Sequence, residues 1–176
     1  MIREAPRIET ERLVLRAFRA EDLEPLAAMW ANEDVVRYVG GQALSREDTW
    51  RRSLAATGQW PLLGYGYWIV ELKADGRVVG QLGFADFKRD MQPSIEGEPE
   101  LGYVFDAKVH GRGIAFEGCA AALDWAEVNL DASSYPAIIS PENTASIRLA
   151  ERLGFERLPD GIYRGEAIAV FRRAKP

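Results

Sequence analysis

Residues His110 to Gly118, HGRGIAFEG, place three glycines in nine positions immediately before an Ala-rich apolar run. Glycine tolerates the backbone conformations of a tight strand-to-helix turn. It also lets backbone N–H groups close on an anion, and a helix N-terminus adds free donors and a positive dipole end. Two phosphate-binding patterns fail here. Gly111-x-Gly113 followed by Gly118 displaces the third glycine of G-x-G-x-x-G by two positions, and no ribose-binding acid follows. Gly113 and Gly118 have P-loop spacing, but Cys119 and Ala120 stand where lysine and a magnesium-binding hydroxyl are needed. What remains is a strand, a short x-Gly-x-Gly-x-Ala turn and a long helix.

Other reactive side chains are few. His110 is the one histidine and Cys119 the one cysteine. An internal disulfide is therefore impossible, the usual His/Cys zinc sites are excluded, and nucleophilic catalysis has a single possible base. No metal is expected. Cys119 falls within an apolar helix and reads as a small core residue. Trp60, Tyr65, Tyr67 and Trp68 cluster in sequence, as core and sheet surface or as the wall of an acceptor site.

The chain has 176 residues, 47% hydrophobic and 28% charged, with a formal net charge of −5. That size suits one domain over residues 1–176 with a full core. The acidic balance argues against nucleic-acid partners, which call for a basic face. No apolar run reaches the roughly 18 residues of a membrane span, and the N-terminal residues mix both charge signs, unlike a signal peptide. A cytoplasmic location is expected.

The elements that must position these residues follow from periodicity. Arg12–Phe18 reads as a strand. Leu23, Leu26, Ala27 and Trp30 share one helical face, with Pro25 tolerable only in the first turn. Ser45 with Asp48 opens a second helix, running to about Thr57. Two β-rich runs flank Lys73-Ala74-Asp75-Gly76, a hairpin turn. Lys88–Glu98 reads as a structureless polar loop and Glu100–Phe105 as a strand. From Ile114 to Leu130 a helix is apolar on most sides, with Glu117, Asp124, Glu127 and Asp131 forming one wet stripe. A short strand at Tyr135–Ser140 precedes Asn143, a good N-cap for a helix ended by Gly154. Strands at Phe155–Leu158 and Ile162–Arg172 finish the chain. The whole is an α/β fold with a mixed, mainly antiparallel sheet and about four helices.

Four stretches in order, IETERLVLRAF, GYWIVELKADGRVVGQLGF, ELGYVF with HGRGIAFEG, and NTASIRLAERLGFE, resemble the GNAT superfamily of acetyl-CoA-dependent N-acetyltransferases. Within it they are most similar to the branch that acetylates the N-terminal alanine or serine of ribosomal proteins. The resemblance implies a single GNAT-like domain whose central sheet splays at a cofactor cleft. It implies acetyl-CoA as co-substrate, and transfer of acetyl by direct attack of a primary amine, at a peptide N-terminus or on a small molecule. It further implies that the backbone of His110, Gly111, Arg112, Gly113, Ile114 and Ala115 holds the CoA pyrophosphate. The strand residues Tyr103, Val104 and Phe105 would pair with the pantetheine arm, and Asn143 would hydrogen-bond it. Glu100 stands where many members place a general base acting through water. Ser146 occupies the serine of the branch's N-x-x-S motif, a candidate proton donor to the leaving thiolate.

The chain departs from the pattern twice. His110 replaces the usual Gln or Arg, and Ala150 stands where many members carry a tyrosine acid. The second departure leaves open an alternative: a catalytically weak, acyl-CoA-binding regulatory module. A homodimer through an exposed sheet edge is also compatible with the sequence.

Overall fold

The computed structural model describes residues 2–176. The chain begins with β1 (Ile8–Glu9) and β2 (Leu13–Arg16). Then come α1 (Leu23–Trp30), a single-turn α2 (Glu33–Val36) and α3 (Arg46–Leu63). The central part is β3 (Tyr67–Leu72), β4 (Val78–Ala85), β5 (Met91–Gln92), β6 (Glu100–Phe105) and α4 (Ile114–Asn129). The chain finishes with β7 (Ser134–Ile139), α5 (Thr144–Arg152), β8 (Glu156–Arg157), β9 (Gly161–Tyr163) and β10 (Glu166–Ala174). Single 3₁₀ turns at Ala20–Asp22 and Ala107–Val109 precede α1 and α4.

The strands form two sheets, β1-β2-β3-β4-β6 and β5-β9-β10-β7 with β8 on β10, and every ladder among the described residues is antiparallel. The sheets meet at β6 and β7, which are neighbours in space with no ladder between them. That break is the splay expected at the cleft. α4 and α5 pack beside it, over a core that includes Leu13, Phe84, Phe105, Leu123, Tyr135 and Phe171.

Three elements differ from the sequence expectation. α3 runs six residues past Thr57, through Gly58 and Pro61, because Trp60 is pulled into an edge-to-face cluster with Trp68 and Trp125. Burial of that indole outweighs a helix breaker in the last turn. The polar loop 88–98 contains β5, which pairs with β9, because Met91 and Ile95 pack on Val170. Ile162–Arg172 is not one strand. Arg164 (φ +53°) and Gly165 (φ +81°) fold it into the β9–β10 hairpin, and positive φ at both central residues matches the strand twist. The acidic stripe of α4 is also less wet than its spacing suggests: Glu117 pairs with Arg12 and Glu127 with Arg173.

Candidate functional site

The glycine turn works as a helix opening. Gly111 (φ +72°) and Gly113 (φ +74°) adopt the left-handed conformation, and Gly113 is the N-cap of α4. The first helical bond runs from the Glu117 N–H to the Gly113 carbonyl at 3.0 Å. The amides of Ile114, Ala115 and Phe116 are therefore the orphan donors of the first turn. Glu117, an acid in that same turn, would repel an anion there if it were free. It is not: Thr10 Oγ1 (2.6 Å), the Arg12 N–H (2.8 Å) and Arg12 Nε (2.6 Å) all donate to its carboxylate. Burial pushes the Glu117 carboxyl up, but these donors outweigh it and hold it below the usual carboxylate range. The Arg12 guanidinium also donates to the Arg112 carbonyl at 2.9 Å, tying β2 to the turn. The His110 ring turns inward, Nε2 donating to the Phe105 carbonyl at 3.0 Å. One ring nitrogen, and one backbone acceptor at the end of β6, are thus committed inside the protein.

β6 pairs with β4 on one side only, so alternate backbone groups on its other edge face the splay. Across that opening lies the first turn of α5. Asn143 caps it as expected, its Oδ1 accepting from the Ser146 N–H at 3.1 Å. The Tyr103 hydroxyl donates to the Ser146 carbonyl at 3.1 Å, so Tyr103 is a strut from β6 to α5. Desolvation raises its phenol well above the usual range, which keeps it neutral and a donor. The Ser146 hydroxyl makes no side-chain hydrogen bond among the described residues. Ala150 is buried on α5 and brings no acid to the site.

Between β6, β7, β9, α3 and the α1–α2 region lies a cleft of about 290 Å³. It reaches Glu100, Tyr103, Val104, Asn143 and Ser146 together; Phe105 and the residues 110–115 lie outside it, at the α4 end of β6. Glu100 is not a free carboxylate. It is buried, and both its oxygens accept from Arg89, at 2.6 Å from Nε and 3.0 Å from Nη2. Burial pushes its carboxyl up and Arg89 pulls it back, with burial winning. Arg89 also donates to the Tyr163 hydroxyl at 3.0 Å and lies over the rings of Phe87 and Tyr163. Tyr67 stands against β6 so closely that a Cβ at Gly102 would collide with its hydroxyl, a reason for glycine there. Of the four clustered aromatics, Tyr67 alone lines this cleft, while Trp60 and Trp68 are core. Tyr65 borders a larger concavity of about 630 Å³ that touches none of the candidate residues.

Sequence reasoning missed Arg89, Tyr163 and Arg52. Arg89 sits in a polar run with nothing to indicate that it doubles back over Glu100. Tyr163 belongs to a hairpin read as a continuous strand. The segments 35–44 and 88–98 contribute Tyr38, Val39, Gly40 and Arg89 to the cleft wall.

Comparison with known proteins gives a consistent picture. The family described as "Acetyltransferase (GNAT) domain" matches residues 12–156. The uncharacterized protein YkkB of Bacillus subtilis (strain 168) is 31% identical over 170 residues, covering 95% of each chain. An acetyltransferase from Agrobacterium tumefaciens str. C58 superposes with a TM-score of 0.82 at 28% identity, over 97% of this chain and 95% of that one. A RimL ribosomal L7/L12 α-N-protein acetyltransferase in complex with coenzyme A shares the fold. Its TM-score is 0.77 at 17% identity, over 96% of this chain and 98% of that one.

Proposed function

Because the chain belongs to the GNAT acetyltransferase family and is an acyltransferase, we propose that it transfers an acetyl group from acetyl-CoA to a primary amine by direct attack. The acceptor is a peptide N-terminus or a small amine. The observation that carries this reading is a cleft bounded by Glu100 that reaches the unpaired edge of β6, with the orphan amides of α4 beyond the far end of that strand. The residues fit the co-substrate. The amides of Ile114 to Phe116 supply donors and dipole for a pyrophosphate, with no metal needed. Arg12 cancels the one acid that would oppose it. The β6 edge from Tyr103 to Phe105, apart from the Phe105 carbonyl that accepts from His110, offers hydrogen bonds to a pantetheine arm, with Asn143 on the facing helix.

Acetyl-CoA supplies an activated acyl group on a thiol leaving group. Glu100 takes the proton of the incoming amine through water, its remaining lone pairs being the ones Arg89 does not occupy. Backbone N–H groups of the β6 edge steady charge developing on the carbonyl oxygen. Ser146 stands at a helix N-terminus, in a field that favours an adjacent thiolate. Cys119 supports the absence of a covalent intermediate: it is fully buried and desolvation raises its thiol far above neutrality.

A second reading, an acyl-CoA-binding module with little turnover, is favoured by the Arg89 lock on Glu100 and the absence of an acid at Ala150. One experiment separates the two. The protein is incubated with acetyl-CoA and a panel of amines, following free thiol and acetylated amine by mass. Thiol release coupled to amine acetylation supports transfer. Coenzyme A binding without release, across the whole panel, supports the module.

A further inference from the structure

The cleft before Glu100 carries an imbalance of charge. Its charged lining residues are Arg52, Arg89 and Glu100. Arg89 and Glu100 neutralise each other through two hydrogen bonds. Arg52 has no such partner. On the same helix Arg46 pairs with Glu24, and Arg51 with Glu47 and Asp48, yet among the described residues no carboxylate lies within ion-pair distance of Arg52. Its guanidinium sits 4.4 Å from the Trp30 ring centroid instead. An aromatic ring attracts a cation without consuming its in-plane N–H donors. The guanidinium is therefore held at the cleft wall with its donor edge unspent, in a protein whose net charge is −5. A planar fork of this kind matches a carboxylate bidentately.

We infer that the acceptor amine carries a carboxylate, and that Arg52 is the residue that selects it. The inference rests on the acetyl-transfer reading and narrows its substrate class. Amine nitrogen forms the new bond to the acetyl carbon and the carbon–sulfur bond breaks. Coenzyme A leaves as the thiol, taking up the equivalent of the proton the amine loses. The carboxylate is unchanged, a handle that holds the amine towards Glu100. Cationic acceptors such as diamines place a second positive charge beside Arg52 and are excluded by it.

The test is a set of matched acceptors: 4-aminobutyrate, its amide and putrescine as small molecules, and peptides beginning Ala-Glu or Ala-Gln. Each is assayed by thiol release with wild type, Arg52→Gln and Arg52→Lys, and CoA affinity is measured by calorimetry for all three proteins. The expected result is a preference in kcat/KM of about tenfold or more for the carboxylate member of one pair. The pair that shows it identifies a small acid or an acidic peptide as the source. Arg52→Gln removes that preference while leaving CoA affinity and turnover of the uncharged member in place, and Arg52→Lys restores part of it. Equal or better use of the uncharged member in both pairs by wild type, or of putrescine over 4-aminobutyrate, overturns the inference. So does an equal fall for both members of a pair in Arg52→Gln. No thiol release with any amine, although CoA binds, overturns the acetyl-transfer reading and this inference with it.

Discussion

Replacing Arg89 with methionine removes the only counter-charge, among the described residues, of a carboxylate with 6% of its side chain exposed, opposite a guanidinium that is 19% exposed. Breaking a buried pair from one side costs about 3–5 kcal/mol, because the remaining charge stays desolvated. The partial exposure of Arg89 places this case at the low end, about 3 kcal/mol. For a chain of this size 1 kcal/mol corresponds to about 2–4 °C in Tm, so the expected loss is roughly 6–12 °C. The loss depends on pH. Burial already raises the Glu100 carboxyl, and without Arg89 it rises further. A carboxyl whose folded pKa lies above its unfolded value of about 4.3 leaves the fold unpenalised below that value. The penalty then grows as pH rises through the folded pKa. Urea unfolding of Arg89→Met should thus show its smallest deficit in acid and its largest near neutrality. Arg89→Met/Glu100→Met should lose less than the two single variants together, by about 1–3 kcal/mol. If Glu100 relays the amine proton, the acid limb of kcat/KM should also move to higher pH in Arg89→Met. A shift of under 2 °C or so, constant across pH, would refute the reasoning, since a solvated surface pair behaves that way.

Glu100→Gln should lower kcat/KM at neutral pH by about 10²-fold with CoA affinity retained; equal pH–rate profiles for the two proteins would leave Glu100 without a catalytic role. Gly113→Val places a β-branched residue at φ +74°, where a Cβ meets nothing closer than an Arg12 nitrogen at 3.4 Å. Backbone strain of about 1–3 kcal/mol should therefore shift the turn and weaken CoA binding in calorimetry without unfolding the chain. Glu117→Gln should destabilise by about 1 kcal/mol at neutral pH. The wild-type carboxyl is depressed by its donors, so that stability is present above the unfolded value and is lost as pH falls through the folded one. The gap between the two proteins should close in acid, and a gap independent of pH would contradict the ion-pair account. Ser146→Ala should keep CoA affinity and lose rate moderately, less so with an acyl donor of more acidic thiol. Asn143→Ala should weaken CoA binding more.

Local signals carried much of the site. Three glycines before an apolar run, a strand ending at Phe105 and Asn143 three residues before Ser146 are patterns of a few positions, and the backbone follows them. Glu100 was readable as a position but not as a state, because its partner Arg89 reaches it through a loop whose path depends on Met91 and Ile95 packing on Val170. Tyr103 was legible as a β6 residue, while its role as a strut to α5 requires the splay between two sheets. The Arg164-Gly165 turn was hidden because positive φ at arginine is decided by the hairpin around it. Arg52 shows the same limit, since only the fold brings it over Trp30 and beyond ion-pair distance of any carboxylate among the described residues.

The central claim is that one surface, from the α4 N-terminus along β6 to Glu100, holds the co-substrate and delivers its acyl group to an amine. A crystal structure of the protein with coenzyme A tests it most directly. The account predicts pyrophosphate oxygens within hydrogen-bond distance of the amides of Ile114 to Phe116, the pantetheine arm along the free edge of β6, and the sulfur at the cleft shared by Glu100, Tyr103 and Ser146. A pyrophosphate bound elsewhere, or a sulfur that does not enter that cleft, would contradict it.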